Sequence, residues 1–245
     1  MGKIVSVISG KGGTGKTSVC AGIASCLAAE QQRVLCIDAD VGLRNLDISL
    51  GMSDEPIIPF TAVMRGEYSL DAAVQHPSIE GLFLLTAPIL ELPEELDADA
   101  FGAMLNLARE RFDWIFIDAP AGVGAMFRLA AQFADLALVV SNADPASLRD
   151  ASRAADLLLA QRQIPAKLIV NRVRAKMFKQ MNATVDDVMD SVGLPLVGIV
   201  PEDANVTLSA AASSALILST DRGAARACLH IARRLCGRKM PLIKL

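Results

Sequence analysis

Ile4-Val5-Ser6-Val7-Ile8-Ser9-Gly10-Lys11-Gly12-Gly13-Thr14-Gly15-Lys16-Thr17-Ser18 joins an apolar run, a glycine-rich turn and the first residues of a helix-period stretch. Residues 10–17 match Gly-x4-Gly-Lys-Thr, and the strand before and the helix after supply the context that gives the pattern meaning. Glycines let the backbone curl so that successive N–H groups point at phosphate oxygens, and the helix N-terminus adds a favourable dipole. Lys16 counters phosphate charge, and Thr17 offers a hydroxyl to Mg²⁺. The expected phosphate-binding set is Gly10, Lys11, Gly12, Gly13, Thr14, Gly15, Lys16, Thr17 and Ser18.

Outward from the loop, apolar runs of strand length recur at residues 3–9, 33–38, 82–86, 114–118, 136–141, 167–171 and 196–200. They are rich in Val, Ile and Leu, and several end at a polar residue. Their hydrophobicity is continuous rather than alternating, so both faces are covered. Helix-period stretches at 17–30, 98–111, 124–132, 146–163, 185–192 and 221–235 lie between them. The alternation predicts an α/β fold, a single doubly wound, mostly parallel sheet flanked by helices. Ligands of such sheets gather at the carboxyl ends of the strands. The Pro-bearing stretch 54–59 and the acidic stretch 91–99 read as loops or helix entries, and no repeat or low-complexity linker divides the chain. The expected units are one domain over residues 1–237 and a short basic and apolar tail over 238–245.

The 245 residues are 52% hydrophobic and 21% charged, enough for a sizeable core. No uninterrupted apolar stretch of about 18 residues occurs, so a spanning helix is not expected. The N-terminus lacks a cleavage-type signal segment, which points to the cytosol. Its Met-Gly-Lys-Ile-Val-Ser start fits a loose acylation pattern, yet Gly2 leads straight into a strand. Cys20, Cys26, Cys36, Cys228 and Cys236 are odd in number and sit in apolar patterns, which favours buried thiols over disulfides or a metal site. Charge is uneven. Seven of the 24 Lys/Arg and none of the 27 Asp/Glu follow Asp221, so that segment is +7 and the preceding body −10. Such asymmetry indicates an anionic partner.

Two strands deliver carboxylates. Ile37-Asp38-Ala39-Asp40 closes the second run, and Trp114-Ile115-Phe116-Ile117-Asp118 aims one aspartate from a rigid strand end before Ala119-Pro120-Ala121-Gly122. Beside a phosphate loop, Asp118 and Thr17 are candidate Mg²⁺ ligands. From the residues alone, Asp38 and Asp40 read either as site carboxylates or as strand terminators that cap a helix. Lys11 reads equally as a solvated loop cation.

Lys11-Gly12-Gly13-Thr14-Gly15-Lys16-Thr17 resembles the deviant phosphate loop of the MinD/ParA class of P-loop ATPases. Asp38-Ala39-Asp40-Val41-Gly42-Leu43-Arg44-Asn45-Leu46-Asp47 is similar to the segment most characteristic of its MinD branch. The markers keep the family's order from Met1 to about Arg234. The resemblance implies an ATPase that converts ATP to ADP and phosphate with Mg²⁺, and in which Lys11, Lys16 and Asp40 are catalytic. Lys11 then reaches across a nucleotide-sandwich homodimer to the partner's phosphates. Asp40 positions or activates the hydrolytic water, and Asp38 joins Thr17 and Asp118 in supporting the Mg²⁺ shell. Asn171 and Arg172 after one strand, and Pro201, Glu202 and Asp203 after another, fall where the family holds adenine. Residues 119–122 resemble its second switch. Ser147-Leu148-Arg149-Asp150 resembles a helix start near the dimer face, although Arg149 reads equally as a solvated helix charge.

The implied role is an ATP-dependent dimerisation switch in division-site placement, with weak turnover until a protein activator or division inhibitor binds. The chain departs from the family at its end. MinD-branch proteins usually close on an amphipathic helix with several Phe and Lys, whereas here Ala225, Cys228, Leu229, Ala232, Leu235 and Cys236 share one helical face before Arg238-Lys239-Met240-Pro241-Leu242-Ile243-Lys244-Leu245. Either the last helix packs on the sheet and the tail frays, or the +7 segment holds an anionic membrane surface. The second case makes the protein cytoplasmic with peripheral placement at the inner face of the cell membrane. A ParA-type partition ATPase suits the tail but not the acidic body or residues 42–47, so DNA is not an expected partner. A MinD-branch relative that positions flagella or pili is a further alternative. An iron–sulfur electron donor needs a cysteine pair near the dimer axis, and no Cys lies between Cys36 and Cys228. An adaptor without hydrolysis leaves filled catalytic positions unused.

Overall fold

The apolar runs assemble into one eight-stranded sheet in a computed structural model that describes residues 1–41, 44–88, 96–162, 164–174, 176 and 184–243. Gly42 and Leu43, much of the acidic stretch 91–99, Gln163, Lys244 and Leu245 lie outside the described residues. The strands are β1 (Lys3–Ile8), β2 (Val34–Asp38), β3 (Val74–Gln75), β4 (Leu82–Leu85), β5 (Trp114–Asp118), β6 (Leu136–Ser141), β7 (Ala166–Val173) and β8 (Leu196–Pro201). Their order is β3-β4-β2-β5-β1-β6-β7-β8, parallel throughout except for the β3–β4 pair. All seven expected strands are present. The added strand, β3, has two residues, too few to carry a periodic signal.

The helices are α1 (Lys16–Ala29), α2 (Leu46–Leu50), α3 (Phe60–Met64), α4 (Ala98–Arg111), α5 (Ala125–Phe133), α6 (Pro145–Arg162), α7 (Val185–Val192), α8 (Ala204–Ala211), α9 (Leu216–Ser219) and α10 (Gly223–Leu235). The six longest-signalled ones coincide with the helix-period stretches. The short α2, α3, α8 and α9 do not appear in that reading.

Alternation along β1 divides the core. Ile4 and Ile8 face the layer of α4, α5, α6 and α7, whereas Val5 and Val7 face α1, α2, α9 and α10. Helix α1 is apolar on nearly every side because it lies between the sheet, α2 and α10, and Val19 through Ala28 are all buried. Asp97 caps α4 by accepting from the N–H groups of Asp99 and Ala100, a contact of about 1 kcal/mol. β1 sits between β5 and β6, where the winding of the chain reverses, so a crevice opens at the carboxyl ends of these strands.

Through Ile243 the described part of the tail is held against the body. Gly237 turns the chain at φ +80, and Arg234 then donates to the Met240 carbonyl through Nη2 at 2.8 Å. His230 Nδ1 donates to the Pro241 carbonyl at 3.0 Å. Arg233 and Arg238 converge on Glu30 at 2.6 and 3.1 Å, and Ile243 packs against the α1/α10 core.

Candidate functional site

The phosphate loop begins where β1 ends. Ser9 Oγ donates to the Lys11 carbonyl at 3.0 Å, and a side chain at Gly10 would meet the Asp150 carbonyl oxygen at 2.2 Å. Gly15 stands at the N-cap of α1 with φ +81 and no side-chain cap, so the first-turn N–H groups of α1 are left for a ligand. A Cβ at Gly15 would lie 2.2 Å from Asn171 Nδ2. Only glycine satisfies both the left-handed backbone and that close approach. Lys16 Nζ lies 2.5 Å from Asp118 Oδ1 and 3.4 Å from Thr17 Oγ1.

Strand register sets the carboxylates side by side, since Asp38 of β2 pairs directly with Asp118 of β5. Asp38 is a hub. Its Oδ1 accepts from the Asp40 N–H at 3.0 Å, and its Oδ2 accepts from the Asn45 and Leu46 N–H groups, each at 3.0 Å. It therefore caps α2 from a distance as well as standing in the site. Burial, reinforced by the charge of Asp118, pushes its carboxyl up to about 6 against those three donors. Burial also raises Asp118, with Lys16 and the Thr17 hydroxyl opposing, and raises Asp40, with Lys16 opposing. Asp118 Oδ2 is buried and finds no partner in hydrogen-bonding geometry among the described residues.

Three crowded carboxylates facing one ammonium, one oxygen of them orphaned, suit a divalent cation. Among the described residues no three His, Cys, Asp or Glu side chains form a self-sufficient cage. The fit is to Mg²⁺, which takes one or two carboxylates and fills its octahedron with phosphate oxygens and water.

Beyond Gly15 and Ser18 opens a cavity of about 490 Å³. Asn171, Arg172, Pro201, Glu202 and Asp203 all line it. Asn171 Nδ2 donates to the Thr14 carbonyl at 2.7 Å, tying the cavity wall to the loop. Arg172 adopts φ +53 at the strand end. The Glu202 carboxylate pairs with Arg174. Asp203 is occupied structurally: Oδ1 accepts from the Asn205 N–H and Oδ2 from the Ala224 N–H, both at 2.9 Å, which joins the starts of α8 and α10. Val206, Thr207, Leu216 and Cys228 also line the wall, and the sequence reading does not place them there. They come from α8, α9 and α10, and no motif marks them.

On the loop's other flank, Lys11 Nζ lies 3.6 Å from Asp144 Oδ1, both side chains roughly two-fifths exposed. Asp144 caps α6, accepting from the Ser147 N–H at 3.0 Å and Ser147 Oγ at 2.5 Å. The Ser147 hydroxyl, more than Lys11, holds that carboxyl below the usual range. Gly122 donates its N–H to the Ser9 carbonyl at 3.0 Å, so residues 119–122 are anchored to the base of the loop. Arg149 lines a separate groove of about 640 Å³ between α6 and α7.

Residues 5–216 match the family model described as the CobQ/CobB/MinD/ParA nucleotide binding domain. The septum site-determining protein MinD of Synechocystis is 35% identical over 99% of this chain and 92% of its own length. MinD of Bacillus subtilis is 31% identical over 99% and 92%. Among solved structures, MinD in the MinC:MinD cell division protein complex of Aquifex aeolicus superposes with a TM-score of 0.91 at 32% identity, covering 99% of this chain and 98% of that one. MinD from Pyrococcus horikoshii, complexed with Mg-ADP, shares the fold with a TM-score of 0.83 at 24% identity, over 96% of each chain. Fold, loop and full-length likeness agree: the chain belongs to the CobQ/CobB/MinD/ParA nucleotide-binding family, as a MinD-like ATPase of the deviant phosphate-loop class.

Proposed function

We propose that the chain is an ATP-dependent dimerisation switch with weak, partner-stimulated hydrolysis, acting in division-site placement. The observation that carries this reading is that one phosphate loop touches both groups: its Lys16 meets Asp118, the register partner of Asp38, and its Gly15 and Ser18 line the 490 Å³ cavity. Adenine enters the cavity and meets Asn171, Arg172 and the backbone of Pro201, Glu202 and Asp203. Phosphates follow the N–H groups of residues 10–18, and Lys16 exchanges Asp118 for the β- and γ-phosphates. Mg²⁺, held by Thr17 and Asp118 with Asp38 behind them, supplies charge neutralisation at those phosphates. Asp40, its carboxyl raised by burial, is a stronger base than a free carboxylate and orients the attacking water. Lys11 leaves Asp144 and crosses to the phosphates of a second copy of this chain.

The Aquifex MinD structure is a complex with MinC, and we read a division inhibitor of that kind, together with a protein activator, as the partners of the dimer. Among the described residues no helix is long and apolar enough to cross a membrane. The +7 C-terminal segment supports peripheral binding to an anionic membrane from the cytoplasmic side; DNA is not part of the reading.

Light scattering of the wild type and Asp40→Ala, each with ADP and with ATP·Mg²⁺, tests the switch. The expected result is an ATP dimer that decays in the wild type and persists in Asp40→Ala. Two proteins that stay monomeric with ATP bound refute it.

A further inference from the structure

His76 is a buried imidazole, 4% exposed, that the hydrolytic reading leaves without a role. It follows β3 and closes the turn into β4. Its Nδ1 accepts from the Ser78 and Ile79 N–H groups at 3.0 and 3.1 Å, so that nitrogen carries no proton. Nε2 lies 2.9 Å from the Leu50 carbonyl oxygen and must be the donor. The contacts therefore select the neutral Nε2–H tautomer.

Closing a turn needs only a short side-chain acceptor, which Asn, Asp or Ser supplies. The imidazole does more, because its second nitrogen reaches the last carbonyl of α2. Helix α2 has five residues, too few to hold its place through its own hydrogen bonds, so its end contacts and its buried Leu46 and Leu50 position it. At its far end Gly51 abuts Ser214 and Ala215, with no room for a side chain. At its near end the Asn45 and Leu46 N–H groups hold Asp38 Oδ2, while Asp38 Oδ1 holds the Asp40 N–H. An unbroken run of hydrogen bonds and helix backbone thus leads from His76 to the peptide of Asp40.

Resting on the assignment of Asp40 to the hydrolytic water, we propose that His76 is a positioning residue for that carboxylate, acting through α2 and Asp38. Two variants divide its contacts. Asn at this position keeps an acceptor for the Ser78 and Ile79 N–H groups but cannot reach Leu50. Gln places an amide N–H where Nε2 was and gives up the turn. The experiment measures kcat and KM for ATP·Mg²⁺ in the full-length wild type, His76→Asn and His76→Gln, with melting temperatures alongside.

The expected result is a fall in kcat of at least about fivefold in His76→Asn at unchanged KM, and a kcat within twofold of wild type in His76→Gln, whichever variant melts lower. A merely structural histidine follows the melting temperatures instead. Equal loss in the two variants, loss confined to His76→Gln, or no loss in either overturns the proposal. A wild type without ATP turnover overturns the hydrolytic reading of Asp40 and this inference with it, whereas turnover with an unexpected variant pattern overturns this inference alone.

Discussion

Replacing Lys16 by Met in the nucleotide-free protein separates what the lysine does for the fold from what it does for phosphate. Its ammonium lies 2.5 Å from Asp118 Oδ1, in a pair whose side chains are 6% and 1% exposed. Removing one partner of such a pair leaves an uncompensated buried charge and costs about 3–5 kcal/mol. The Thr17 hydroxyl is left as the neighbouring group that favours the charged carboxyl, and Asp118 Oδ2 itself is without a partner in hydrogen-bonding geometry among the described residues. Removing both charges, in Lys16→Met/Asp118→Asn, avoids the orphaned carboxylate and restores all but about 1–2 kcal/mol. Urea unfolding at pH 7.5 without nucleotide measures both values.

A pH series gives the sign. Burial already raises the Asp118 carboxyl and Lys16 opposes it, so in Lys16→Met the carboxyl rises further. A protonated carboxyl does not need the ammonium, and the loss therefore shrinks as the pH falls through the raised value and is complete above it. A fluorescent ATP analogue is expected to bind neither variant tightly, since both lack the lysine assigned to phosphate in the proposed function. The reasoning fails if Lys16→Met is as stable as wild type, or if the double variant is no more stable than the single one.

Gly15→Ala forces a side chain into φ +81, worth about 1–2 kcal/mol, and pushes Asn171 off the Thr14 carbonyl; ATP affinity by calorimetry falls at least about tenfold while the circular dichroism spectrum is kept. Asp144→Asn releases Lys11 from an exposed pair worth about 0.2–1 kcal/mol, so the rate of ATP-induced dimerisation by stopped-flow scattering rises no more than about fivefold, and a slower rate counts against the parking of Lys11 there. Asp38, pushed up to about 6 in the fold against about 3.9 unfolded, binds its proton more tightly in the folded state. That contribution is fully present below the unfolded value and is lost as the pH rises through about 6, a total of about 3 kcal/mol. The urea midpoint of the nucleotide-free wild type accordingly climbs between pH 7.5 and 5.5, and an identical climb in Asp38→Asn removes Asp38 as its cause.

How far the sequence could be read depended on whether a feature is local. The loop of residues 10–17 is covalently contiguous, and Asp38 and Asp118 end unbroken apolar strands, so residue type and position coincide. The five-residue α2 and two-residue β3 have no period to detect and owe their existence to tertiary contacts. Asp203 illustrates a subtler limit. A position after a strand marks it as a wall of the cavity, where it does lie, but its bond to the Ala224 N–H spans 21 residues and no pattern encodes it. Arg234 is only six residues from Met240, yet their bond exists because Gly237 reverses the chain, which a helix-period reading of residues 221–235 does not anticipate.

The site's own side chains carry an electrostatic imbalance with a direction. Asp38, Asp40 and Asp118 are each raised by burial, and Lys16 answers Asp118 directly while lowering Asp40 only at a distance. A divalent cation alone would relieve the carboxylates but crowd the Lys16 ammonium. Phosphate alone would satisfy Lys16 and the α1 N–H groups but set more negative charge against the aspartates. Only the two together would neutralise both halves, Lys16 turning from Asp118 to phosphate and the cation answering the carboxylates. Because α2 hangs from Asp38 and the 119–122 segment from Ser9, the groups that trade partners in this exchange also hold the surrounding backbone. On the proposed function, a change of ligand charge at the phosphates would be felt first in these two segments, which is the property a nucleotide-driven dimerisation switch needs.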